Sequence, residues 1–273
     1  MNKNYLKLDI LRKFYKVFYL KNIKTFPKRV LQLLSFIMSN RSFFLQGKMD
    51  IHTNSLWHNK DFVEYSGGFY INNDPINRVI YDLEPWDIVR RDMIVLLLRE
   101  IVIKEIQGDF AEVGVYKGYT SRLIHNYVPE RALHLFDTFE GFTEQSSSNE
   151  MHNTNEDIDP GQFKDTSVNR VLEFIGSKNE NITVNVGFFP ETVTKLHEDK
   201  TFSFVSLDAD LYQPTYDGLN FFFPRLSDGA IILVHDFNAW KGARKAVDRF
   251  CEENKLFPIP MPDKSGSVII RKI

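Results

Sequence analysis

The segment Asp109–Ser121, DFAEVGVYKGYTS, constrains this chain more than any other. Phe110, Ala111, Val113 and Val115 are spaced as in a buried strand, and Thr120–Tyr127 reads as the helix that follows. Gly114 and Gly118 stand in the turn between them. Glycine tolerates the backbone angles of a tight turn and lets a ligand approach the main chain, while a helix start offers N–H groups without partners. The next apolar segment, Ala132–Phe136, ends at Asp137. A carboxylate about 20 residues past such a turn is placed to hold ribose hydroxyls. The spacing Glu112-x-Gly114-x3-Gly118 departs from the G-x-G-x-x-G of a dinucleotide site and carries an acid inside the strand end. It suits S-adenosylmethionine, which brings an ammonium group to neutralise and no pyrophosphate to cradle.

Beyond this motif strands and helices alternate. Strand-like stretches fall at 110–115, 132–137, 182–186, 202–208 and 230–235, and helical ones near 119–127, 166–176, 190–198, 212–224 and 240–254. That order predicts an α/β fold with a mostly parallel sheet covered by helices on both faces. Two short strands around Pro262-Asp263-Lys264-Ser265-Gly266 predict that the last strand enters antiparallel. The polar, acidic stretch 143–165 is too long for an idle connection. It reads as a lid or substrate loop, with a solvated disordered loop as the alternative. The length divides into an extension, 1–83, and a main domain, 84–273, opened by a helix from Glu84-Pro85-Trp86.

A formal net charge of −2 argues against a general nucleic-acid binder. The charge is uneven, however. Residues 1–48 carry eleven Lys/Arg against Asp9 alone, a net of +10 that an acidic remainder of −12 balances. Apolar residues at helical spacing among these lysines predict a helical arm. It either lies on an anionic membrane surface or packs on its own domain or a twin subunit; packing with self-association is favoured. A single cysteine, Cys251, excludes an internal disulfide, is expected to pack a helix, and fits a reducing compartment. No apolar run approaches the ~18 residues of a membrane span, and the basic start lacks a signal-peptide pattern, so a cytoplasmic location is expected.

A second cluster of candidates sits at two later strand ends. Val205-Ser206-Leu207-Asp208-Ala209-Asp210 ends an apolar strand in acids, and Leu233-Val234-His235-Asp236 ends the next. In open α/β sheets ligands bind outside the carboxyl ends of the strands, so Asp208 and Asp236 converge if these strands are neighbours. Two close carboxylates repel unless protonated or bridged by a cation, and oxygen ligands favour magnesium or calcium. Asp210 and Asp236 also precede helices and could cap them. His235 reads as a base, a supporting group or a plain strand end; Asp208 is the other candidate base.

DFAEVGVYKG, LFDTFEGF, VGFFPETV, VSLDADLYQPTYDGL and AIILVHDFNAWKGARKAVDRF together resemble the macrocin O-methyltransferase family, over roughly residues 84–273. The resemblance implies a class I methyltransferase (Rossmann-like) fold with a seven-stranded sheet, and S-adenosylmethionine as donor. It also implies a divalent metal, usually magnesium, a sugar hydroxyl on a small natural product as acceptor, and a homo-oligomer. By position it implies that Glu112, Gly114 and Gly118 line the methionine side and that Asp137, Thr138 and Phe139 serve the ribose. Gly187 and Phe188 would approach the adenine, and Asp208 and Asp236 would hold the metal. The family usually has two acids where this chain has His235-Asp236. A nicotinamide-dependent dehydrogenase, a non-catalytic scaffold and a metal-independent methyltransferase with His235 as its sole base are the competing readings; the absence of G-x-G-x-x-G speaks against the first and the retained acids against the second.

Overall fold

A computed structural model describes Tyr81, Leu83, residues 87–176 and residues 180–273. The expected N-terminal arm, and with it self-association and membrane contact through residues 1–48, lies outside the described residues. The first described helix, α1 (Ile88–Ile103), starts where Asp87 accepts the Arg90 N–H at 3.0 Å. A side-chain acceptor at this position satisfies one of the N–H groups that a helix start leaves open. Its apolar positions Ile94, Val95, Leu98 and Ile101 are fully buried.

The strands are β1 (Asp109–Val113), β2 (Leu133–Asp137), β3 (Ile182–Val186), β4 (Phe202–Leu207), β5 (Leu226–Val234), β6 (Ile259–Pro260) and β7 (Val268–Arg271). They form one seven-stranded sheet in the order β3-β2-β1-β4-β5-β7-β6. The first five run parallel, and β7 is antiparallel to both β5 and β6. Both the parallel sheet and its antiparallel last strand agree with the reading of the sequence. The fifth strand starts at Leu226 rather than 230, because Ser227-Asp228-Gly229 looks like a turn yet continues the strand.

The helices are α2 (Tyr119–Tyr127), α3 (Glu144–Thr154), α4 (Val168–Ile175), α5 (Lys195–Glu198), α6 (Tyr212–Phe222) and α7 (Lys241–Asn254). Helices cover both faces, so the central strands are buried on each side: all six residues of β4 are buried. One face packs Val205, Leu207 and Ile232 against Leu219 and Phe222 of α6 and Val247, Phe250 and Cys251 of α7. Cys251 is thus a packing residue, as expected, and burial pushes its thiol up to about 11. Each such large side chain contributes roughly 1.5–3 kcal/mol through burial. This core makes the carboxyl ends of β1, β4 and β5 a rigid floor.

The stretch 143–165 departs from the alternative of a solvated disordered loop. It is neither a solvated loop nor featureless: residues 144–154 form α3, with Thr143 accepting the Ser146 N–H at its start. The helix has almost no apolar periodicity, so its existence depends on a distant contact. Glu150, 1 % exposed, accepts the Tyr212 N–H at 2.9 Å. It thereby caps α6, whose N-cap residue Leu211 offers no side-chain acceptor. Gly242 of α7 leaves the space for it, since a Cβ there would lie 2.2 Å from a Glu150 carboxylate oxygen. Replacing Glu150 by Ala strands the buried Tyr212 N–H. It is expected to cost about 1–3 kcal/mol, read as a lower Tm in thermal denaturation, whereas Glu150→Gln keeps an acceptor and most of the stability.

Candidate active site

Chain connections leave β1 in one direction, toward β2 and β3, and later enter β4 on its other side. The crevice at that switch point is where open α/β sheets bind ligands. A cavity of about 340 Å³ lies there, walled by the residues after β1, β2, β3, β4 and β5, by Phe142, and by Ser146 and Phe163 of the 143–165 stretch. Four non-glycine residues with positive φ, Tyr116, Phe139, Asp210 and Asp236, follow four of these strand ends. Such conformations are costly and persist where the surrounding structure imposes them.

The turn after β1 is built on Gly114 and Gly118. Gly114 has φ +84°, and a Cβ there would meet the Asp208 carbonyl oxygen at 2.0 Å, so no other residue fits. Gly118 caps α2 in the left-handed conformation and abuts Val171. It shapes the turn without lining the cavity. The free N–H groups of the turn point at Asp137, whose carboxylate accepts from Val115 at 2.7 Å, Tyr116 at 2.9 Å and Phe139 at 2.6 Å. One oxygen takes two of these bonds and the other takes one. The singly bonded oxygen keeps acceptor capacity toward the cavity.

Thr138, Gly187 and Phe188 lie on the cavity wall as expected. Thr138 also closes its own loop through a 3.2 Å bond to the Gly141 carbonyl. Gly187 donates its N–H to the Asp137 carbonyl at 2.9 Å, joining the ends of β2 and β3. Phe139 departs from expectation: its ring is buried away from the wall, and its N–H alone serves the site, through Asp137.

Glu112 is 1 % exposed and takes a short hydrogen bond from the Ser121 hydroxyl. Burial pushes its carboxyl up to about 8, with repulsion from Asp208 and Asp137 set against relief from Ser121 and Arg90. The group is therefore largely protonated at neutral pH. A cation arriving beside it would favour the carboxylate.

The acids at the ends of β4 and β5 do converge. Asp208 accepts from Arg90 Nη2 at 2.7 Å on one oxygen and from His235 Nδ1 at 2.8 Å on the other. The same His235 nitrogen lies 2.9 Å from an Asp236 oxygen. Burial alone would raise the Asp208 carboxyl, but Arg90 and then His235 hold it well below the usual carboxylate range. Burial opposes charge on His235 too, yet Asp208 and the two carboxylate bonds push the ring up to about 9. That direction favours the imidazolium over the neutral ring. In that form the ring donates hydrogen bonds to the two acids, a different role from the base the sequence suggested.

Asp210 was expected to cap a helix, and it does not. Burial raises its carboxyl well above the ordinary range, and it shares a hydrogen bond with Asp236. Asp236, by contrast, is held low by His235 and Asp210 against the effect of burial. The two carboxyls are thus shifted in opposite directions, Asp210 toward the protonated form and Asp236 toward the carboxylate.

Arg90 was not foreseen. It sits in an apolar helix, 7 % exposed, and its Nε has no protein partner among the described residues. Two adjacent arginines, Arg90 and Arg91, inside an apolar run were the available signal. Asp263, from the turn before β7, was also missed. Its side chain is fully buried, and its carboxylate lies 3.9 Å from the other His235 nitrogen.

Three comparisons bear on this geometry. The O-methyltransferase NovP matches over 68 % of this chain and 80 % of that structure, with a TM-score of 0.56 and 20 % identity. The calicheamicin methyltransferase CalS11 matches over 67 % and 79 %, with 0.51 and 19 %. These likenesses show the class I methyltransferase fold. In sequence, the chain is 23 % identical to demethyldecarbamoylnovobiocin O-methyltransferase of Streptomyces niveus, over 56 % of this chain and 62 % of that one. It is 24 % identical to 8-demethyl-8-(2,3-dimethoxy-alpha-L-rhamnosyl)-tetracenomycin-C 4'-O-methyltransferase of Streptomyces olivaceus, over 63 % and 76 %. It is 25 % identical to mycinamicin III 3''-O-methyltransferase of Micromonospora griseorubida, over 55 % and 63 %. The match therefore spans less than two thirds of the first and third of these relatives. The model of the macrocin-O-methyltransferase (TylF) family matches residues 89–271, which holds every strand and every site residue described above, and the chain belongs to that family.

Proposed function

We propose that this chain is an S-adenosylmethionine-dependent O-methyltransferase acting on a hydroxyl of a sugar or glycosylated small molecule. The observation that carries the reading is the pairing of Glu112 and Asp137 across the glycine turn. One is a buried carboxyl short of a cation; the other is a carboxylate fixed by three main-chain N–H groups with acceptor capacity to spare. Glu112 would take the ammonium group, Asp137 a ribose hydroxyl, and the unpartnered Arg90 Nε, on the same cavity wall, would suit the donor's carboxylate. The relatives named for methylating sugar-bearing natural products support the acceptor class.

When bound, the donor supplies an electrophilic methyl carbon on a positively charged sulfur, which the acceptor oxygen takes as the S–C bond breaks and its proton leaves. An alcohol is a weak nucleophile at neutral pH, so the protein must orient it and receive that proton. Asp208 faces two cations and Asp236 only one, which makes Asp236 the stronger base of the two. The aromatic residues Phe142 and Phe163 pack edge to face at 5.2 Å on the cavity wall. They offer an apolar rim that keeps water from the reacting centre. No step of this reading passes through a divalent metal, because Asp208 and Asp236 already hold His235 and Arg90.

Asp137→Ala is expected to weaken S-adenosylmethionine binding by about 1–3 kcal/mol, the cost of leaving ribose and main-chain groups unpaired. Calorimetry returning wild-type affinity would sink the ribose assignment. Glu112 makes a pH prediction. Its folded pKa lies above the ordinary carboxyl value of 4.5, so the unfolded chain loses its proton first and stability falls as pH rises between about 4.5 and about 8. Glu112→Gln should flatten the Tm–pH curve over that window and weaken donor binding roughly tenfold, ~1.4 kcal/mol. An unchanged curve together with unchanged affinity would remove Glu112 from the site.

A further inference from the structure

The site's carboxylates are bridged by a side chain. One nitrogen of His235 reaches both Asp208 and Asp236, at 2.8 and 2.9 Å, which is the relation a bridging metal ion would have to these two acids. The second Asp208 oxygen is closed by Arg90 at 2.7 Å. The far side of the ring faces Asp263, which is pinned by the Ser267 N–H at 2.6 Å and hydroxyl at 2.7 Å. Asp87, His235 and Asp263 form one group of donor atoms within 4.8 Å of one another, and Asp208, His235 and Asp236 form another. His235 thus stands among Asp87, Asp208, Asp236 and Asp263, one ring between two pairs of acids.

We propose that His235 occupies the place of a bridging cation between Asp208 and Asp236, and that with Arg90 it makes this a site that takes no divalent metal. The inference deepens the methyltransferase reading and rests on it for its chemical meaning. Magnesium requires carboxylate oxygens at about 2.1 Å and near-octahedral order. Here both Asp208 oxygens and one Asp236 oxygen are committed to nitrogen donors, and an arriving dication would meet the Arg90 guanidinium as a like charge. The Arg90 guanidinium, a permanent cation on the cavity wall, supplies positive charge near a developing alkoxide without an ion having to be recruited. His235 acts as a positioning residue, since its ring nitrogens are turned to the acids rather than to the cavity's occupant. The converse also follows. An acid at position 235 would leave these carboxylates without their central cation, so a metal would then be needed.

The test is a titration of the full chain with Mn²⁺, followed by the electron paramagnetic resonance signal of the free ion and by thermal denaturation. The wild type is expected to show no saturable binding at millimolar Mn²⁺ and the same Tm in Mn²⁺ and in chelator. His235→Asp is expected to melt lower in chelator, to recover in Mn²⁺, and to bind the ion at least ~10-fold more tightly than the wild type. One Mn²⁺ held per wild-type chain would overturn the proposal, and so would a folded His235→Asp that gains no site. Should that variant not fold, the wild-type titration alone decides. Donor binding by calorimetry in chelator is measured separately. Its absence would end the methyltransferase reading while leaving the Mn²⁺ result intact.

Discussion

Three acids, Asp208, Asp210 and Asp236, crowd the carboxyl ends of β4 and β5, and they can share that space only because positive charge is buried with them. Two unit charges 4 Å apart interact by about 4 kcal/mol at the effective dielectric of a protein site. Arg90 and His235 set attraction against that repulsion, and burial beside Asp236 and Asp208 shifts Asp210 toward its uncharged form. Everything catalytic proposed for this chain depends on that balance. It sets which group is a base, which is a fixed charge, and whether an ion is wanted.

The fold delivers these charges from far apart in the chain. Arg90 and Asp208 are 118 residues apart, and His235 is 27 beyond Asp208. Parallel neighbours β1, β4 and β5 bring their ends to one level through a register that aligns Val113 with Leu207 and Leu207 with Val234. Gly114 tightens the same floor from the other side, its missing side chain letting the β1 turn close over the Asp208 carbonyl. The donor pocket and the carboxylate cluster are therefore mechanically one unit. Glu112 links them electrically as well, since Asp208, Asp137 and Arg90 all act on it.

Local patterns were legible and distant ones were not. The β1–turn–α2 unit could be read because hydrophobic spacing changes from period two to helical at two glycines. The convergence of Asp208 and Asp236 followed from strand order alone. The helix α3 was invisible, since EQSSSNEMHNT has no apolar face and is anchored by Glu150 on Tyr212, 62 residues away. The charge state of His235 was likewise out of reach. It depends on Asp208, Asp236 and Arg90, brought together from three parts of the chain, whereas the residue types alone left His235 open as a base, a supporting group or a strand end. Phe139 shows the same limit at close range: its place in LFDTFEGF was correct, but a positive φ turns its ring into the core and leaves only its N–H to serve the site.

The central claim is that a protonated histidine ring resides between these carboxylates. The most direct measurement is nitrogen-15 NMR of the His235 ring in the full chain, assigned by its loss in His235→Gln and followed from acid to alkaline pH. The account predicts that both ring nitrogens remain protonated throughout the neutral range, with the proton lost only near pH 9. A ring found neutral at pH 7, with one nitrogen bare, would contradict it.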